Sequence, residues 1–220
     1  MASTSPYAPP VAAAASLLQS LQAMGEARSN AVLELLGDPP VIQQGQRYPA
    51  DKLRFGADWL RAYYHCHAEP WPREGEHGHF HFFLPLGDKD KQPQWAHLAA
   101  LSINDEGQPQ RWFTVNNWVT GGPWLGRQDL SAALTRALTQ RPQTLLEQWL
   151  LAMLGMYAPD LASLLQQRDQ DLHRAAQGQP LGEVHQDRDI YTLATQDIHL
   201  ATDLQNLLTA PTTKREAINC

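Results

Sequence analysis

The sequence predicts an α+β fold, with a central antiparallel meander sheet at about residues 60–120 covered by N- and C-terminal helices. Two observations carry this. Apolar residues recur at helical spacing before residue 37 and again after residue 127. Between those regions, short segments alternate with period two and are separated by turn residues. Composition agrees: 220 residues, 43% hydrophobic and 18% charged, are enough for a real core. No internal repeat of a solenoid or propeller is visible.

Residues 1–10 are rich in Ser, Pro and Ala and read as a flexible arm. From Val11 to Leu36, Leu17, Leu18, Leu21, Met24, Val32, Leu35 and Leu36 follow a helical spacing, with Gly25 and Ser29-Asn30 as a joint. Gly37-Asp38-Pro39-Pro40 stops the run. Residues 41–58 show no period and read as irregular. Four strands are expected next: Tyr63 to His67, His77 to Leu84, Trp95 to Ile103 and Arg111 to Asn116. Helices return with Leu130, Leu134 and Leu138, then the wide apolar face from Leu145 to Leu154. Pro159-Asp160 opens another helix, whose Gln-rich outer face at 161–177 reads as solvated. Ile190 to Leu208 reads as the last helix. The organisation expected is a single domain over 11–208, with His-rich strands at 63–103, and a loose tail over 209–220.

Histidine placement carries the functional reading. Six of the nine lie between residues 65 and 97: His65, His67, His77, His79, His81 and His97. Side chains two apart on a strand share a face, so His65 with His67, and His77 with His79 and His81, form two one-sided rows. If the strands pair, imidazoles opposed at about 4.5–5.5 Å between Cβ atoms can converge on one ion. All six are candidate metal ligands, with His79 central to its row and His97 dependent on which way it faces. Glu74 and Glu76 can add a carboxylate. Tyr63, on the face of His65, and Glu76 are the candidate catalytic groups.

Imidazoles with at most one carboxylate suit one transition-metal ion, iron, zinc or copper, and exclude a calcium or magnesium cage. The expected function is a mononuclear His-ligated metalloenzyme activating water or dioxygen on a small-molecule substrate. The alternative is a non-catalytic protein that stores, senses or delivers metal. The cupin arrangement, with a Glu four or five residues after an HxH pair, is not met: Glu69 is too near His67 and Glu74 too far.

Other classes are set aside. A net charge of -6 argues against nucleic acid or an anionic membrane as partner. The longest apolar run, Trp149 to Ala158, falls far short of the roughly 20 residues that span a bilayer. No basic residue precedes Arg28, so a secretory signal is not expected, and a reduced, cytoplasmic location is. Cys66 and Cys220 form no CxxC. Cys66 reads as a buried thiol rather than a ligand, since it alternates away from its flanking histidines. Asn116 with Thr114 is a candidate pocket lining, Thr120-Gly-Gly-Pro-Trp reads as a tight turn, and His173, His185 and His199 as surface residues.

Tyr63-Tyr-His-Cys-His followed by Glu76-His-Gly-His-Phe-His-Phe resembles the central motif of an uncharacterised bacterial family, a domain of unknown function. The resemblance covers roughly residues 48–125 and implies no activity.

Overall fold

A computed structural model describes residues 10–55, 59–67, 75–87 and 93–209. Its helices are α1 (Pro10–Glu26), α2 (Ala31–Leu36), α3 (Asn117–Thr120), α4 (Arg127–Leu138), α5 (Leu145–Met156), α6 (Ala158–Ala176), α7 (Leu181–Val184) and α8 (Leu200–Thr209). The strands are β1 (Tyr48–Phe55), β2 (Leu60–His65), β3 (Gly78–Leu86), β4 (Gln94–Ile103), β5 (Pro109–Val115) and β6 (Thr192–Asp197). They form one sheet in chain order, every neighbouring pair antiparallel. The expected α+β meander with helices at both ends is therefore present.

Alternation divides the sheet into two unlike faces. Ala62 and Tyr64 of β2, Phe80, Phe82 and Leu84 of β3, Leu101 of β4 and Trp112 of β5 join the main core. Against them pack Leu17 of α1, Leu134 of α4, Trp149 and Leu150 of α5 and Leu161 of α6. The larger of these side chains each contribute about 1.5–3 kcal/mol when buried. Helix ends are set locally. Asn30 Oδ1 accepts from the backbone N–H groups of Val32 and Leu33 and so caps α2. Thr144 Oγ1 accepts from Glu147 N–H, and Glu147 Oε2 accepts from Gln143 N–H, a reciprocal arrangement that starts the almost wholly buried α5.

The sheet extends further than the sequence reading placed it. Residues 48–55, read as irregular, form β1. This strand has no clean alternation because its pairing with β2 slips between Tyr48 and Leu53, where Lys52 takes a left-handed φ of 63°. Ile190 to Leu208, read as one helix, divides into β6 and α8. Ala194 of β6 enters the core, while its backbone pairs with β5. Pro10, assigned to the arm, is the buried first residue of α1, where a missing N–H costs nothing. Residues 1–9, the tail from 210 including Cys220, and Glu69 and Glu74 lie outside the described residues. Among the described residues no helix is long and apolar enough to cross a membrane.

Candidate metal centre

The second face of the sheet carries the histidines. Register pairs Tyr63 with His81 and His65 with His79, so these four share one face across β2 and β3. On that face His65, His79 and His81 each offer a ring nitrogen within 4.8 Å of the other two. His79 Nε2 lies 2.8 Å from His65 Nε2 and 3.1 Å from His81 Nε2. The pleat explains the convergence: residues opposed on neighbouring strands and residues two apart on one strand bring their rings to a common point. His79 and His81 are buried, at 0% and 1% exposure, although histidine is only intermediate in its tendency to be buried.

Two groups behind the trio fix its rings. Glu76 Oε1 sits 2.6 Å from His79 Nδ1, with both side chains buried. The carboxylate accepts the Nδ1 proton and turns Nε2 toward its neighbours, the role that a carboxylate plays behind a metal-bound imidazole. The position places Glu76 on the far side of the His79 ring from the other histidines. His97 Nε2 lies 2.9 Å from His81 Nδ1 and anchors that ring in the same way. Burial, then the charges of Arg168 and His79, push His97 down to about 3, so it is held neutral. His97 reaches this face through a bulge. Phe82 pairs with Ala99 but Phe83 with His97, which leaves Leu98 as the extra residue.

The remaining sequence candidates fall in different places. His67 follows β2, and its ring centre is 4.6 Å from that of His65 and 5.2 Å from that of His79, at the margin of the cluster. His77 is not brought into the row. β3 begins at Gly78, and the His77 ring turns to the opposite side, where its Nδ1 shares a 2.7 Å hydrogen bond with the Tyr64 hydroxyl. Burial, with Cys66 and Glu76 adding, raises the Tyr64 pKa and keeps that phenol protonated. Tyr63 lines the cluster, its ring 5.1 Å from His81 and 5.5 Å from His65. Burial raises its pKa, Arg47 partly opposing, so its O–H is retained at neutral pH.

Lesser candidates are absorbed by the fold. Cys66 is a buried free thiol whose pKa is raised by burial. Asn116, the candidate pocket lining, is buried and bonded to the backbone. Its Nδ2 donates to the carbonyls of Val184 and Asp187, and its Oδ1 accepts from Asn117 N–H, capping α3. Thr114 Oγ1 accepts from Ala194 N–H between β5 and β6. His185, half-buried rather than a surface residue, lies against Trp124.

Sequence reasoning passed over four residues that shape the site. Phe113 of β5 meets the His79 ring edge to face at 5.1 Å, giving the cluster an apolar wall. Arg47, Lys52 and Arg61 stand over aromatic rings of the same face. Alternation from Arg111 to Phe113 is the signal that finds Phe113. Arg47 and Lys52 belong to the β1 region, whose strand character was hidden, and Arg61 to the start of β2.

Residues 11–198 match the sequence model of a family described as a domain of unknown function, DUF6969, and the chain belongs to that family. No curated protein and no solved structure matches it.

Proposed function

We propose that this member of the DUF6969 family is a mononuclear metalloenzyme whose ion is held by Nε2 of His65, His79 and His81. One observation carries the reading: His79 Nε2 faces two other Nε2 atoms, at 2.8 and 3.1 Å. An imidazole nitrogen has a single in-plane position, either a lone pair or an N–H. In either state it completes one straight hydrogen bond, yet two nitrogens stand before it. A cation at the shared point engages all three lone pairs. Two nitrogens at right angles on bonds of about 2.0–2.1 Å lie roughly 2.9 Å apart, which matches the spacing here.

Three imidazoles suit zinc, iron or copper and leave coordination positions for water or dioxygen, which such an ion activates. Catalysis is favoured over storage or delivery because the rings are pre-set. Glu76 and His97 fix two of the three, and burial of His79 and His81 suits a resident ion rather than one handed on. Tyr63 supplies a protonated hydroxyl at the edge of the cluster, placed to donate to a bound substrate.

Elemental analysis of protein purified without a polyhistidine tag, beside His79→Ala, tests this. About one ion per chain in the parent, lost in the variant, is the expected result. Equal trace content in both refutes the centre. Circular dichroism checks that the variant folds. His65→Gln, at a partly exposed position, serves as the second variant.

A further inference from the structure

Three cations gather beside the histidine cluster. The Arg47 guanidinium lies 4.7 Å from the Tyr63 ring centre, Lys52 Nζ 4.9 Å from that of Phe83, and the Arg61 guanidinium 3.8 Å from that of Trp95. Register puts their platforms on the histidine face: Arg61 pairs with Phe83, Phe83 with His97, and Pro85 with Trp95. Along β2, Arg61, Tyr63 and His65 follow at two-residue steps of roughly 6.7 Å, so the cations border the cluster at one end. The charges feel one another, since burial, then Arg47 and Arg61, lower the Lys52 pKa.

Crowding like charges is unfavourable. The backbone also works against Lys52, a residue with a Cβ held at φ 63° where glycine is at ease. A guanidinium over an aromatic ring, as Arg47 is over Tyr63, can still offer N–H donors at its edges, the geometry that grips an oxyanion. The Phe83 and Tyr63 rings stand between this rim and the cluster, their centres 6.4 and 5.1 Å from that of His81.

From this juxtaposition we infer that Arg47 and Lys52 bind the carboxylate or phosphate of a small organic substrate whose opposite end reaches the histidine centre. The rim stands on its own geometry, while the reactive end of the substrate rests on the metal reading above.

The experiment is isothermal titration of the metal-loaded full chain with malonate and with inorganic phosphate, at fixed ionic strength in chloride. Arg47→Met and Lys52→Met are titrated in parallel, with ion content measured in each. Methionine keeps the apolar stem and removes the charge. The parent binds at least one probe with a Kd under about 10 mM. Each variant weakens that binding by about tenfold or more, with ion content unchanged. The stronger probe tells a carboxylate from a phosphate substrate. An ion-loaded parent that ignores both probes, or variants that bind as the parent does, overturns the rim. A parent that holds no ion yet binds a probe in a Lys52-dependent way sustains the rim and refutes the metal centre alone.

Discussion

Replacing Glu76 by Ala probes how the centre is held rather than which atoms hold it. Glu76 Oε1 is 2.6 Å from His79 Nδ1, and both side chains are almost wholly buried. A hydrogen bond to a charged group contributes about 1.5–3 kcal/mol. At about 1.4 kcal/mol per decade, its loss raises the metal Kd by roughly 10- to 150-fold, in line with the effect of removing such outer partners elsewhere. Glu76→Gln retains an acceptor without the charge and is expected to cost about half as much in free energy. The assay strips the protein with a chelator and follows zinc competition against a chromophoric indicator. If Glu76→Ala stays within about twofold of the parent while His79→Ala abolishes binding, the carboxylate is a bystander and this reasoning is wrong.

Two further outcomes follow from the geometry around β3. In Gly78→Ala the new Cβ would stand 2.6 Å from both the His65 carbonyl oxygen and the Tyr64 hydroxyl. Because the carbonyl belongs to the backbone, β2 and β3 must part where His65 and His79 pair; urea unfolding is expected to show a loss of about 1–3 kcal/mol. His77→Ala removes the partner of the buried Tyr64 hydroxyl and costs a similar 1–3 kcal/mol or so, yet metal content stays that of the parent. A fall in metal content that matches His79→Ala would return His77 to the ligand set.

The histidine face was legible because its code is the simplest a strand has. HxH opposite HxHxH names one face, and β2 and β3 do pair so that His65 meets His79. His77 failed that code because a strand's period applies only within the strand, and the close approach at Gly78 marks its beginning. His97 was open for the opposite reason. Counting by twos from Ala100, which pairs with His81, puts His97 on the helix side, and only the extra residue at Leu98 turns it round. No sequence period reports a bulge. β1 was hidden by its slipped register and by charges at Asp51, Lys52 and Arg54, while β6 was masked by a Leu-Ala pair that also suits a helix. Arg47 and Lys52 were invisible with β1, since nothing linear connects them to rings that fold over from β2 and β3.

The strand order gives the molecule an uneven assembly problem. β2, β3 and β4 are sequential neighbours, so every histidine of the cluster, from His65 to His97, is joined by short-range pairings. β6 instead returns to β5 only after α3 to α7 have been threaded between them, with Val115 meeting Thr192. Entropy of loop closure rises with the length enclosed, and folding is slowed by distant contacts. The histidine-bearing hairpins can therefore form while the last third of the chain is still unfolded. An ion captured at that stage would stabilise the nascent sheet and act as a nucleus for the docking of the C-terminal helices.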